Sequence, residues 1–294
     1  MEHPVFIGGY GTIKWLAAVH DHLRFSSMTD YKAVFNGIES TLFEIGSRKL
    51  SRDQLRAQLE PYKHFEGRRR SDDEYYQNLV HIVFYSGFRA ATVSDKLPVI
   101  DRHFPNYNVV ADYGDHELRA ILSDPQMIRN RLKIKACIEN AKQMKSIILK
   151  HGTFQKYAST IPPVQSDTDI IKLRDTFRRL FKFLGPRTAF HFMMDIGLPV
   201  LKPDRVIERI FKRLALIRDD LKDDALYVAL VQEGRKFAQA TGHPIRYVDI
   251  VLVGYGQMQG DELGLEHGIC LEQNPACSVC QVTKYCDYYA RGRR

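Results

Sequence analysis

Four cysteines gathered near the C-terminal end constrain this sequence more than any other feature. Between Cys270, Cys277, Cys280 and Cys286 lie six, two and five residues. Four thiolates can hold either a tetrahedral zinc ion or an iron–sulfur cluster. Structural zinc sites usually combine two short cysteine pairs, and only Cys277 and Cys280 form such a pair here. The ligand spacing therefore favours a [4Fe–4S] cluster held by a C-terminal loop, with zinc as the alternative.

The fifth cysteine, Cys137, belongs to a helical pattern. Apolar residues recur through residues 134–148 at the spacing of one helix face, so Cys137 is expected to be a buried packing residue. Strand-like alternation is scarce, and the sequence predicts an all-α fold. Gly197 and Gly242 are expected at left-handed helix ends, and Pro203 in a first helical turn. Further helical patterns cover residues 11–23, 51–62, 72–88, 167–183, 187–196, 204–217, 223–241 and 247–254.

The charge balance favours a polyanionic partner. Lysine and arginine total 43 against 35 acidic residues, and basic residues cluster at 67–70 and 129–133. Such a surplus suits nucleic acid, because neutralising phosphates releases counterions; a solvated basic surface without a partner is the alternative. No apolar run reaches the roughly 20 residues that span a bilayer, and the first residues lack a signal-peptide pattern. We therefore expect a cytoplasmic, nucleoid-associated protein and no membrane contact.

The cysteine spacing and its surroundings resemble the cluster loop of endonuclease III and MutY, in the helix-hairpin-helix (HhH-GPD) DNA glycosylase superfamily. The resemblance implies a six-helix barrel at residues 72–196. It also implies a second helical domain, made of residues 1–71 and 197–294, that carries the [4Fe–4S] loop at 270–286. In that family the loop presents basic residues to DNA. Lys284 would take this role, with Arg291, Arg293 and Arg294 as further candidates.

Residues 181–189, which read Phe-Lys-Phe-Leu-Gly-Pro-Arg-Thr-Ala, resemble the DNA-binding hairpin of the superfamily in its Tag-type 3-methyladenine glycosylase version. Gly185 and Thr188 fall on the second glycine and the threonine of the usual pattern, while Phe183 replaces the first glycine. We expect Gly185 to supply the turn that lets the next helix hold a phosphate with its N–H groups. Arg187 stands where bifunctional members carry a nucleophilic lysine. A guanidinium is a poor nucleophile, so base excision without strand cleavage is expected.

Asp204 matches the segment that carries the catalytic aspartate of the superfamily. An aspartate after a proline is by default a helix cap, and Asp204 can cap its helix and still face a sugar. Breaking an N-glycosidic bond builds positive charge on the sugar, which a fixed carboxylate stabilises while it orients the attacking water. Lys202 lies nearby but matches no nucleophile of the family. Asp195 and Asp249 are the alternative carboxylates.

The resemblance also assigns a wedge and a base pocket. Phe88 would enter the base stack when the target nucleotide is extruded, and Arg89 would hydrogen-bond the orphaned base. Packing within the protein is the alternative role for Phe88. Candidate residues that line the pocket, each with a core role as its alternative, are His81, Tyr85 and His191. The carboxylate with which Tag enzymes recognise 3-methyladenine falls on Ile82 here, so that substrate is not carried over.

Together these features predict a monofunctional DNA glycosylase that acts as a monomer on double-stranded DNA with a damaged or mispaired base. Alkylated purines are the favoured substrates. A MutY-like or thymine/uracil mismatch glycosylase is the alternative enzyme. A non-catalytic iron–sulfur protein that binds DNA is the alternative of another class.

Overall fold

The computed structural model describes residues 29–65, 68–162, 164, 166–258 and 261–292. Across these residues the regular secondary structure is helical and includes no strand, which confirms the predicted all-α fold. The predicted helix at 11–23 lies outside the described residues. None of the described helices has the length and hydropathy to cross a membrane.

The helices follow one another through short connections, and two 3-10 turns, Asp261–Leu263 and Thr283–Tyr285, precede the last helix. In chain order they are α1 (Tyr31–Gly46), α2 (Arg52–Lys63), α3 (Asp72–Tyr85), α4 (Ala90–Ser94), α5 (Leu97–His103), α6 (Tyr107–Ala111), α7 (Asp115–Ser123), α8 (Arg131–His151), α9 (Phe154–Ser159), α10 (Asp167–Leu180), α11 (Pro186–Asp195), α12 (Arg205–Arg213), α13 (Asp223–Thr241), α14 (Ile245–Gly256) and α15 (Asp287–Ala290).

Long helices agree with the sequence pattern, and short ones do not. Helix α13 has the predicted bounds, and Gly197 and Gly242 have the expected positive φ angles of 90° and 73°. Helix α1 and the short helices α4 to α7 were not predicted. Helices of five to nine residues such as these four contain too few turns to display a period. Pro203 lies before α12 rather than in its first turn, because Asp204 is the N-cap.

Two groups of helices enclose the core. In the first, α8 packs against α3, α6, α7 and α9, and an aromatic cluster of Phe154, Phe181 and Phe192 fills the space beside it. In the second, α14 packs against α1, α2, α12 and α13. The Tyr31 hydroxyl on α1 donates to Glu233 on α13 at 2.6 Å, which ties the N-terminal helix to the C-terminal ones. The predicted domain boundaries stay a prediction.

Candidate active site and cysteine loop

The hairpin between α10 and α11 turns at Phe183 and not at Gly185. Phe183 has a φ of 65°, in the left-handed region that favours glycine, whereas Gly185 has an ordinary φ of −74°. The expectation that Gly185 supplies the turn is therefore wrong. The turn is made by the residue that replaces the first glycine of the usual hairpin pattern.

Gly185 instead opens the N-terminal end of α11. It is the N-cap residue and offers no side chain to the first turn, whose N–H groups have no partner within the helix. A Cβ atom at Gly185 would meet only the Thr188 Oγ1, at an ordinary 3.6 Å. The protein interior thus does not require glycine there. The open space suits close approach of an external group to the backbone.

Asp204 begins α12 and uses its two carboxylate oxygens differently. Oδ1 accepts hydrogen bonds from the N–H groups of Val206 at 2.6 Å and Ile207 at 3.3 Å. Oδ2 lies 3.7 Å from Lys202 Nζ, and about a quarter of the side chain is exposed. Asp204 therefore caps its helix with one oxygen and keeps the other at the surface.

Arg187 connects the hairpin helix to the helix that Asp204 caps. Its Nη2 donates to Glu208 Oε2 at 3.1 Å, and its guanidinium lies over the Tyr227 ring at 5.6 Å. Glu208 is one turn beyond Asp204 and also receives the Lys212 ammonium at 3.0 Å. This ion-paired contact fixes α11 and α12 relative to one another.

A buried ionic network lies behind this contact. Asp195 is 5% exposed and Asp249 is 1% exposed, and Arg246 pairs with both, at 3.2 Å and 2.5 Å. Burial raises the pKa of Asp195, but His191 at 3.3 Å, Arg246 and Lys202 outweigh it and lower this pKa to about 2. Both carboxylates are engaged inside the protein. They are therefore not available to a substrate, and Asp204 is the exposed carboxylate of the three.

The loop after α3 carries the predicted wedge. Gly87 has a φ of 77°, and the following Phe88 and Arg89 are exposed, Phe88 by 40%. This exposure argues against the alternative in which Phe88 packs inside the protein. The wedge role itself stays a prediction.

Lys133 holds the base of that loop. Its ammonium is buried and donates to the carbonyl oxygens of Val83, of Phe84 at 3.3 Å and of Ser86 at 2.5 Å. These are carbonyls at the end of α3, which have no partner within their helix. Burial lowers the pKa of Lys133 to about 8. The Phe88 ring lies 5.1 Å from the same ammonium.

The proposed pocket residues have partners inside the protein. His81 Nε2 is 2.7 Å from Asp101, and the Tyr85 hydroxyl is 2.9 Å from Ser94 Oγ. His191 belongs to the buried ionic network. These hydrogen bonds agree with the structural alternative for each residue, and a role in base recognition stays a prediction.

The four C-terminal cysteines border one cavity. Its empty volume is about 430 Å³, including space at its open mouth, and its other walls come from α1, α12 and α14. Among the residues described, no three His, Cys, Asp or Glu side chains are grouped as ligands of a metal ion. What the structure supplies is therefore a thiol-lined cavity, while the group it holds belongs to the proposals below.

Two of the four sulfurs receive hydrogen bonds from neighbouring helices. Arg213, at the end of α12, donates to Cys270 Sγ at 3.2 Å, and the Tyr255 hydroxyl on α14 donates to Cys280 Sγ at 2.9 Å. Burial raises the pKa of Cys270 and Cys286, and the other thiols of the set contribute to the rise at both. Bringing the sulfurs together disfavours free thiolates unless a positively charged group binds among them.

Helix α1 forms one wall of the cysteine loop, a role the sequence did not indicate. A Cβ atom at Gly37 would lie 2.6 Å from Val282, so glycine permits the loop to approach the helix. The Gln281 N–H donates to Thr41 Oγ1 at 3.1 Å, and the Gln281 side chain donates to Glu44 at 2.8 Å.

The basic residues around the loop differ in their surroundings. Lys284 is exposed and its ammonium lies 4.7 Å from the Tyr285 ring, so its DNA contact stays a prediction. Arg291 pairs with Asp287 at 2.6 Å. Arg293 and Arg294 lie outside the described residues. Cys137 is fully buried, as predicted, and burial raises its pKa well above the ordinary range.

Sequence reasoning missed Lys133 and Asn140, the two polar residues with which α8 holds the loops. Both are almost fully buried, with exposures of 2% and 1%. A signal was present: positions 133, 137, 140 and 144 follow a four-three-four spacing, so the polar pair lies in phase with the apolar Cys137 and Met144. A lysine and an asparagine in a buried stripe indicate partners across the interface.

Comparison with known proteins supplies the class. Residues 62–202 match the family described as methyladenine glycosylase, a segment that contains α3 to α11 and the hairpin. This match confirms the assignment to the helix-hairpin-helix DNA glycosylase superfamily that the sequence motifs indicated.

Three solved structures illustrate the range of similar folds. Staphylococcus aureus 3-methyladenine DNA glycosylase I is 20% identical, with 47% of this chain and 84% of that chain covered and a TM-score of 0.40. The 8-oxoguanine DNA glycosylase of Thermotoga maritima is 19% identical, with 76% and 98% covered and a TM-score of 0.48. Endonuclease III trapped on DNA is 19% identical, with 83% and 100% covered and a TM-score of 0.47.

Proposed function

We propose that this protein is a monofunctional DNA glycosylase that hydrolyses the N-glycosidic bond of a damaged base, with alkylated purines favoured. It would act as a monomer on double-stranded DNA in the cytoplasm and leave an abasic site. The observation that carries the proposal is the exposed Oδ2 of Asp204, on a helix fixed to the hairpin through Arg187 and Glu208. This arrangement supports a carboxylate held next to bound DNA.

The proposed reaction needs little beyond that carboxylate. As the bond between C1′ and the base nitrogen breaks, its electron pair leaves with the base and positive charge develops on the sugar. Asp204 Oδ2 stabilises this charge. It also orients a water whose oxygen bonds to C1′ and whose proton passes to the carboxylate and then to solvent.

Alkylated purines fit this site best on chemical grounds. An alkyl group on a ring nitrogen makes the base cationic, so the base leaves as a neutral molecule without a general acid. Asp195 and Asp249, the other carboxylates considered, are buried and paired with Arg246. A site with one exposed carboxylate suits a substrate that departs without protonation. The MutY-like or thymine/uracil mismatch activity remains the second candidate, favoured by the cysteine spacing alone.

We further propose that Cys270, Cys277, Cys280 and Cys286 hold a [4Fe–4S] cluster. The supporting observations are four thiols around one cavity and hydrogen bonds from Arg213 and Tyr255 to two of the sulfurs. When bound, such a cluster would brace the loop between α1 and the end of α12. Its contribution to the reaction would be structural, since α12 begins at Asp204.

Asp204→Asn tests the enzyme proposal. Asparagine also caps helices, so folding and DNA binding should persist while excision falls on the order of 100-fold or more through loss of one electrostatic element. The measurement is alkali-revealed abasic sites in a panel of duplexes, each with one lesion or mismatch. Asp30→Asn is the matched control, because Asp30 caps α1 in the same way with its Oδ1 2.9 Å from the Ala33 N–H.

Each outcome of this panel has a distinct meaning. Excision of a mismatched normal base in preference to alkylated purines would establish the second candidate. Undiminished excision by the Asp204→Asn variant would exclude Asp204 as the catalytic carboxylate. No abasic sites with any duplex, combined with tight binding to DNA, would establish the non-catalytic alternative.

The monofunctional proposal is tested by borohydride trapping. Arg187 stands at the lysine position of bifunctional members, so no covalent adduct with DNA should form. An adduct that disappears in Lys202→Ala would overturn the proposal, because Lys202 Nζ is 3.7 Å from the catalytic carboxylate.

A further inference from the structure

Phe183 combines a strained backbone with an exposed ring. Its φ of 65° is sparsely populated by residues with a side chain, and for an aromatic residue it is an outlier. Its ring is nevertheless 38% exposed, so the ring does not compensate the strain by packing fully into the core. Strained residues of this kind persist where the surrounding structure fixes them, and they cluster at functional positions.

The backbone of this turn is held from α8. Asn140 Oδ1 accepts from the Lys182 N–H at 2.6 Å, and Asn140 Nδ2 donates to the Lys182 carbonyl at 3.1 Å. On either side of the exposed pair, Phe181 and Leu184 are buried. The turn is thus fixed by residues other than Phe183, whose side chain is free for another use.

Lys133 brings the Phe183 ring next to Phe88 of the wedge loop. Its Nζ lies 4.8 Å from the centroid of the Phe183 ring and 5.1 Å from that of Phe88, so the two centroids are at most about 10 Å apart. The same ammonium is anchored on the carbonyls at the end of α3. The hairpin and the wedge loop therefore present two half-exposed rings around one fixed cation.

The surface around the two rings is basic. Arg89 follows Phe88, Lys182 precedes Phe183, and both cations are exposed. Aromatic faces flanked by cations bind unstacked nucleotides, because bases stack on the rings and phosphates pair with the charges. A fully stacked duplex offers neither ring a base face.

We propose that Phe183 and Phe88 form one aromatic contact for the bases exposed where the duplex is opened, Phe183 being a second stacking ring at the position of the hairpin glycine. This inference rests on the proposed function, since it assigns the hairpin turn to the distorted part of the DNA and not to backbone phosphates alone. Lys133 and Asn140 are positioning residues that act through the two loops.

Phe183→Gly is the informative variant, because glycine adopts the left-handed turn without strain and removes only the ring. Binding is measured by fluorescence anisotropy with an intact duplex and with the same duplex carrying a stable abasic analogue. The wild type should prefer the abasic duplex. Phe183→Gly should lose about tenfold in affinity for the abasic duplex, as expected for one base–aromatic stack, with little change for the intact duplex.

Two control variants complete the experiment. Phe183→Tyr retains a ring and should restore the preference, and Leu149→Gly removes an exposed apolar side chain elsewhere on α8 and should leave the preference unchanged. Phe183→Gly should melt no lower than the wild type. The inference is overturned if Phe183→Gly keeps the wild-type preference, or if it weakens binding to both duplexes equally.

The result is separable from the test of the enzyme proposal, because the abasic analogue is not cleaved. Loss of the preference in a protein without glycosylase activity would sustain the aromatic contact and remove only the reaction. Normal excision with an unchanged preference in Phe183→Gly would remove only the contact.

Discussion

The cysteine loop and the hairpin keep a familiar sequence pattern to different degrees. In the loop the residue types are retained, and all four cysteines border one cavity. In the hairpin the glycine of the usual pattern is replaced by Phe183, yet the left-handed turn is present. One region keeps its side chains, and the other keeps its backbone conformation.

The physical reason lies in what each region must supply. A metal ligand is required for its sulfur atom, which no neighbouring residue can replace. A turn is required for its backbone angles, which neighbouring residues can enforce, as Asn140 does through two hydrogen bonds to Lys182. Cysteine substitutions should therefore be severe wherever they are made, while hairpin substitutions should depend on the residues around them.

The largest effect is expected from Cys280→Ser. If the cluster is present, anaerobically purified wild type should be brown with about four irons per chain, and the variant should lose both colour and iron. Its C-terminal region should unfold more readily, because the metal-bound state is the folded state. Cys137→Ser, in the buried stripe of α8, is the control that should keep the iron. One zinc per chain without iron in the wild type would contradict the assignment.

Asn140→Ala should lower the free energy of unfolding by about 3 kcal/mol, because the buried N–H and C=O groups of Lys182 lose their partners. The same substitution in a Phe183→Gly background should cost less, since glycine adopts the turn unaided. Denaturant unfolding of the four proteins in this double-mutant cycle gives the coupling. Equal costs in both backgrounds would mean that Asn140 does not hold the strained turn.

Lys133 gives the hairpin side a dependence on alkaline pH. Burial lowers its pKa to about 8 in the folded protein, against roughly 10.4 unfolded, so between these values the unfolded state binds more protons. Its contribution to stability should therefore rise with pH across this window, on the order of 2 kcal/mol.

Lys133→Met isolates this contribution. Cys137 acts in the opposite direction, because its folded pKa is raised and its contribution is lost as pH rises. That effect is common to both proteins and largely cancels in the comparison. The stability of the wild type relative to the variant, measured by denaturant unfolding from pH 7 to 10, should increase. A flat difference would show that Lys133 stays protonated throughout.

The smallest effect is expected from Tyr255→Phe, which removes the hydroxyl donor to Cys280 Sγ. The cluster should be retained at the cost of about 1 kcal/mol of stability. Its reduction potential should fall, because hydrogen bonds to the sulfurs favour the more negative reduced state. Tyr113→Phe, which loses a hydroxyl bonded to the His103 carbonyl at 3.2 Å, should leave the potential unchanged. Loss of iron in Tyr255→Phe would mean that the loop depends on its neighbours as much as the hairpin does.

The sequence by itself determined the class of fold and most of the chemistry. Helical periodicity over ten or more residues predicted the long helices, because one buried face repeats often enough to be recognised. Cysteine spacing predicted the thiol-lined loop, since ligands from one short segment meet without knowledge of the rest. Asp204 followed from its place relative to the hairpin.

Only the tertiary structure decided how distant segments act on one another. The residue at the glycine position makes the turn because α8 holds it through Asn140, more than 40 positions earlier. Helix α1 supports the cysteine loop through contacts some 240 positions apart. Asp195 and Asp249 are excluded as catalytic groups because Arg246 pairs with both in the core. Such contacts depend on which faces meet across the fold, and local periodicity carries no information about that meeting.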